Sequence, residues 1–335
     1  MIWLTWRQFR ASALAVFGLL GAVAAALAYT GPALYRDYEM VRDLCGSNCA
    51  GDVFDDFFFP RVGAAALLSL MVMLVPVIVG VFWGAPLISR ELETGTQDLV
   101  WQQSVPRRRW LAVKLGVTGL AAIAAATLAV VSVSWWSWPI DATAIDGLNR
   151  LSPVMFDARG FVVLGHTAFA FALGTAAGLV IRRTVPAMAV TLAVFIAMQI
   201  LMPAFVRPNL TTPVRYETVI TEQNIGGSDP TAPGGIQVNL GQPEAWILSN
   251  VTVDAAGRTV TALPPWTSEC AAPDQPSGEI AQQQCLRRLT VEGYRQVVTY
   301  HPAERFWRFQ AYETAIFGLL GLLLIGFCFL RIRPS

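Results

Sequence analysis

The chain has 335 residues, 54% of them hydrophobic and only 14% charged, with a formal net charge of +1. Soluble domains carry about 25% charged residues, so much of this core must face lipid. Near-neutrality excludes broad electrostatic capture of nucleic acid, and two histidines without a Cys/His cluster give a structural metal little support.

From the N-terminus onward, six apolar runs approach or exceed the roughly 18 residues that span a bilayer. Ala11 to Tyr35 is the first, led by the amphipathic MIWLTWRQFR with Arg7 and Arg10. It exceeds a signal-peptide core and lacks a clean A-x-A box followed by a soluble domain, so it reads as a retained span. Val62 to Ser89 is the second, with Pro76 expected to kink it. Leu115 to Ile140 is the third and closes on Trp135, Trp136 and Trp138, an interface belt. Gly160 to Ile181 and Thr184 to Val206 follow, and Ala315 to Leu330 supplies most of the sixth.

Six spans put both termini on one side, and positive charge decides which. Arg7, Arg10, Arg107 to Arg109, Arg182, Arg183, Arg331 and Arg333 share one set of ends. Asp37, Glu39, Asp43, Asp52, Asp55 and Asp56 in the loop 36–60 share the other with Asp141, Asp146 and Asp157. Both termini are therefore expected in the cytoplasm. The expected domains are 1–206 with five spans, an outer segment 207–311, and 312–335 with the last span and a short tail.

In the outer segment VRYETVIT, IQVNL and WILSNVTVD read as strands, with a turn at Ala255 to Arg258 leading into TVTAL. Residues 264–279 read as loop, and Glu304 to Tyr312 as an amphipathic helix entering the sixth span. The fold class expected is an all-α polytopic membrane protein of six transmembrane helices, with a small α+β domain between helices five and six. Cys45 with Cys49, and Cys270 with Cys285, suit local disulfides on an oxidising side, the alternative being free buried thiols. NVT at Asn250 formally matches a glycosylation acceptor, and a chance match is the simpler reading.

No H-E-x-x-H, no Gly-x-Ser-x-Gly elbow and no phosphate loop occurs, so neither proteolysis nor ATP binding by a P-loop is expected. His166 falls inside the fourth span, where an ionisable group either makes one interhelical hydrogen bond or lines a pathway. Glu313, at the outer edge of the sixth, can pair with a neighbouring charge, snorkel, or line a vestibule. The small residues of GHTAFAFALGTAAG suit close helix contacts.

The remaining feature is SRELETGTQDLVWQQSVPRRRWLAVK, from Ser89 to Lys114, a charged and net basic stretch between spans two and three. Tied at both ends to membrane helices, it suits a cytoplasmic docking surface for something that moves them. Gly95 is expected as a break, Trp101 as an aromatic anchor and Pro106 as the end of the helix. Arg107 to Arg109 are available to acidic partner groups or anionic lipid heads.

Arg90, Glu91, Glu93, Gly95 and Thr96, then Pro106, Arg107, Arg109 and Lys114, resemble the pattern between spans two and three of ABC-2 (type V exporter) permease subunits. The HPAERFWRFQAYE stretch before span six resembles an actinobacterial type with a large outer segment. The resemblance implies a multi-pass permease of a bacterial cell membrane, homodimeric and not itself an enzyme. It implies two copies of a separate ATP-binding subunit carrying ATP and Mg, and no cofactor on this chain. Docking would use Arg90, Glu91, Glu93, Gly95, Thr96, Trp101, Pro106, Arg107 and Arg109, with Glu91 and Glu93 paired to basic groups of the ATPase. The cargo expected is lipophilic or amphipathic: a small molecule, a lipid or a peptide. The competing reading is a membrane sensor whose outer domain binds a ligand; a membrane enzyme would need polar groups converging on His166.

Overall fold

A computed structural model describes residues 2–45, 51–95, 106–142, 150–221, 224–228, 235–242, 244–270 and 278–332. Helix α1 runs unbroken over Ile2–Cys45, and α2 over Gly51–Ile78. A π-helical stretch, Val79–Gly84, joins α2 to α3 at Pro86–Thr94. Then come α4 (Arg107–Ala142), the short α5 (Pro153–Ala158), α6 (Val162–Ile181) and α7 (Thr184–Leu201), which continues as a second π stretch, Met202–Val206. After the inserted domain, α9 spans Phe306–Arg331. Among the described residues six helices are long and apolar enough to cross a membrane, with α2, the π stretch and α3 acting as one, Phe59–Thr94.

The expected loop 36–60 is therefore mostly helix. Tyr35 to Cys45 holds no breaker, and helix-forming Arg, Glu, Met and Leu carry α1 onward. Arg61 of α2 donates to Asp37 of α1 at 2.6 Å, so charges beyond the apolar run are met between helices. Pro76, where a kink is expected, lies inside α2, and a π turn begins three residues later, at Val79.

Helix α6 is the centre of the bundle: it is buried along nearly its whole length, whereas α1, α7 and α9 turn Leu14, Leu19, Val185, Ile200, Leu322 and Leu323 outward. Its glycines explain how it gets there. A Cβ on Gly174 would sit 2.2 Å from the Gly80 carbonyl oxygen, and one on Gly178 would sit 2.4 Å from that of Ala85. The π stretch thus packs backbone to backbone on α6, a contact only small residues permit.

The chain divides into two compact units, one of Met1–Ala144, Ser152–Arg207 and Phe306–Ser335, the other of Ile145–Leu151 and Pro208–Arg305. The second is the α+β domain inserted between the fifth and sixth membrane helices. Strands β1 (Val214–Thr218), β4 (Trp246–Val253) and β5 (Arg295–His301) form an antiparallel sheet of order β1-β5-β4. A two-stranded sheet pairs β2 (Ile225–Ser228) with β3 (Ile236–Val238). Helix α8 (Gly278–Val291) brings Leu286 and Leu289 onto Ile220 and Val238.

The buried Gln296 side chain stitches the two sheets together. Its Nε2 donates to the Ile236 carbonyl (2.8 Å) and to Asn250 Oδ1 (2.7 Å), while Thr252 donates to its Oε1 (2.9 Å). Asn250 Nδ2 in turn donates to the Val238 carbonyl at 2.9 Å. TVTAL forms no strand; Thr259 alone bridges to Val253. Cys285 is disulfide-bonded. The side chains of Cys45, Cys49 and Cys270 lie outside the described residues, so both pairings remain proposals.

His301 is fully buried, donating from Nε2 to the Pro208 carbonyl (3.0 Å) and accepting on Nδ1 from Arg305 (2.9 Å). The second of these bonds needs a neutral ring, because a protonated Nδ1 cannot accept. Burial, with the Arg305 charge, holds its pKa below the usual imidazole value. The unfolded chain then binds the extra proton first, so this contribution is present above about pH 6.5 and lost as pH falls through the folded-state pKa. The melting midpoint of the purified chain should drop between pH 7.5 and 5.5, and His301→Gln should flatten that drop. An unchanged pH profile in the variant would remove His301 from the account.

Candidate functional site

Helix α3 begins with Pro86 in its first turn and ends at Gly95, whose φ of +71° and N–H to the Glu91 carbonyl form a left-handed cap. The expected break at Gly95 is where the helix stops. Between those ends, three side chains fasten α3 to its neighbours. Ser89 donates to Thr184 Oγ1 at 3.2 Å. Glu91 Oε1 accepts from Lys114 of α4, in a short ion pair, and from Gln8 of α1 at 3.2 Å. Glu93 Oε2 accepts the Thr184 N–H (3.0 Å) and hydroxyl (2.7 Å) at the start of α7. A carboxylate at that helix N-terminus also meets the positive end of the helix dipole.

Glu91 and Glu93, expected to pair with basic groups on a partner, both have partners inside the chain, Glu93 while still exposed, and for Glu91 the structure gives a reason. The reason lies with Lys114, the single lysine, buried at 4% exposure and with its Nζ 4.9 Å from the Trp110 ring. An ammonium in that setting requires a counter-ion, and Glu91 is it. Pro106 is expected to end a helix whose other residues lie outside the described ones. Its carbonyl accepts the Trp110 N–H at 3.1 Å, so it opens α4, where a missing N–H costs nothing. Arg90 and Arg109 are exposed and Arg107 is half-buried. Thr96 and Trp101 lie outside the described residues.

At the opposite ends of these helices sits a second cluster. Arg207, fully buried at the end of the second π stretch, donates from Nε and Nη2 to both Glu313 oxygens at 2.9 Å and from Nη2 to Asp157 in a short ion pair. Its guanidinium carbon lies 4.0 Å from the centre of the Phe156 ring. His166 Nε2 is 3.4 Å from Glu313 Oε1. One helical turn before Glu313, on α9, Gln310 accepts the Val162 N–H at 2.8 Å and donates to the Phe156 and Arg159 carbonyls. Arg159 itself pairs with Asp141 at 2.9 Å and bonds Ser69 at 3.0 Å. Residues of α2, α4, α5, α6 and α9 and the end of the fifth span are thereby braced at one level.

His166 and Glu313 are thus brought together, buried at 1% and 0% exposure, and the charge-pairing alternative describes Glu313. Asp157, His166 and Glu313 place ligand atoms within 4.8 Å of one another, a spacing that fits a metal ion. The Arg207 guanidinium already bridges the two carboxylates, so the cation position is taken. Asp157 and Arg207 were missed as site residues; the available signal was a lone arginine ending an apolar run.

Residues 17–207 match the family described as ABC-2 membrane transporter related. No curated protein and no solved structure matches the chain.

Proposed function

The chain belongs to the ABC-2 membrane transporter related family, and from that membership we propose that it exports a lipophilic or amphipathic cargo using ATP hydrolysed by a partner subunit. It is a membrane permease subunit, a transport component rather than an enzyme. In our reading two copies of the chain, of the type V exporter kind, pair with two ATPases that carry ATP and Mg. Both termini and the segment 89–110 face the cytoplasm of a bacterial cell.

The observation that carries this reading is the fastening of α3 to α1, α4 and α7 through Glu91 and Glu93. A push delivered to the stretch around Gly95 to Pro106 reaches three spans at once. Arg90, Gly95, Thr96, Trp101, Pro106, Arg107 and Arg109 form the face offered to the ATPase, while Glu91 and Glu93 transmit the load. ATP drives alternating access only by favouring one state of the pair over the other. The Arg207 cluster braces the far ends of the spans and must rearrange or move as a block when cargo leaves.

The test is ATPase activity in the reconstituted permease–ATPase complex. Arg90→Glu with Arg109→Glu, both exposed, should abolish stimulation of hydrolysis while the permease stays folded. Full stimulation in that double variant would count decisively against the docking face.

A further inference from the structure

We propose that the cleft beside α3 binds a zwitterionic phospholipid whose headgroup carries a primary amine, with the amine on Glu91 and the phosphate on Arg90. The inference rests on the transport reading above and narrows its cargo class to an aminophospholipid.

The cleft has a volume of about 1020 Å³ and is lined by the first turns of α1, by the π stretch and α3, and by the start of α4. One wall is apolar: Phe9, Phe82, Trp83 and Leu87. Phe82 is 59% exposed and belongs to the membrane-crossing helix Phe59–Thr94, so this wall offers the apolar surface that suits a lipid tail. The other end is polar and charge-balanced, with Arg90 and Lys114 against Glu91 and Glu93.

Within that end the bonding is lopsided. Glu91 Oε1 takes both available donors, from Lys114 and Gln8, while Oε2 is buried without a partner. A buried carboxylate oxygen with no donor is costly, and an occupant that brings an N–H removes the cost. A primary ammonium supplies three such donors, whereas a trimethylammonium supplies none. Arg90, the next residue along the helix, presents an exposed guanidinium, whose fork matches phosphate oxygens. An amine and a phosphate joined by a short linker, on an apolar body, satisfy all three features together.

Native mass spectrometry of the purified permease, released from nanodiscs of equal phosphatidylethanolamine, phosphatidylcholine and phosphatidylglycerol, reads the occupant directly. Retention of the ethanolamine lipid should exceed that of the choline lipid by about tenfold, the size expected for one hydrogen bond to a charged group. Glu91→Gln, which puts an amide where the carboxylate stands, should erase the preference. Phe82→Ala leaves the Lys114 pair alone and should lower retention of the ethanolamine lipid while the protein stays folded. Equal retention of the choline lipid, preference for the glycerol lipid, or no retained lipid would each overturn the proposal. None of these measurements involves the ATPase. Retention with failed ATPase coupling would leave a lipid site and sink the transport reading, and the converse result would sink only the site.

Discussion

Arg207→Met is expected to destabilise the permease by about 3–5 kcal/mol and leave little folded protein in detergent, because it strands buried carboxylates without their cation. Asp157 is 4% exposed and Glu313 0%, and the guanidinium bridging them is itself fully buried. Methionine fills much of the same space, so lost volume is not the cause; the loss is electrostatic. The same logic predicts a rescue. Combining Arg207→Met with Asp157→Asn and Glu313→Gln removes all three charges and should recover most of the melting midpoint, since neutral replacement of a buried ion set is often tolerated. Size-exclusion profiles and melting midpoints of the single and triple variants decide it. A single variant as stable as the parent would mean the cluster is not what braces that level.

The membrane spans were legible because a bilayer imposes length and apolarity on any helix that crosses it, and those two properties sit in the sequence itself. The side-chain partners were not. Arg207 stands 106 residues from Glu313, and only the fold shows that the fifth span ends where the sixth begins. That Glu91 has an ion-pair partner inside the chain was hidden for a related reason. Nothing local says that Lys114 is buried, and an acidic residue on a basic stretch looks the same whether it faces water or an internal ammonium.

In the inserted domain the edge strands β1 and β4 were found and the central strand β5 was not. RQVVTYH is covered on both faces, with Val297, Val298 and Tyr300 all buried, so it lacks the alternation that marks a half-exposed strand. The helix–strand boundary before it turns on Gly293, at φ +84°. The first π stretch was equally hidden: it lies where Gly80 meets Gly174 backbone to backbone, a contact between residues far apart in the chain.

Glu91→Lys should be nearly as damaging as the loss of Arg207, since it sets a second ammonium beside Lys114, whose side chain is 5% exposed against 13% for Glu91. Like charges held in a poorly solvated site cost several kcal/mol, and this variant is expected to melt early and to show no coupling to the ATPase. The informative variant is the exchange, Glu91→Lys with Lys114→Glu. If the pair works as an internal strut between α3 and α4, reversing it restores the attraction and should return both the melting midpoint and most of the ATPase stimulation. If Glu91 instead reaches a basic group on the ATPase, the exchange restores folding alone and coupling stays lost. Melting and stimulation measured on the same preparations separate the two, because only a strut within the chain is indifferent to which end carries the charge.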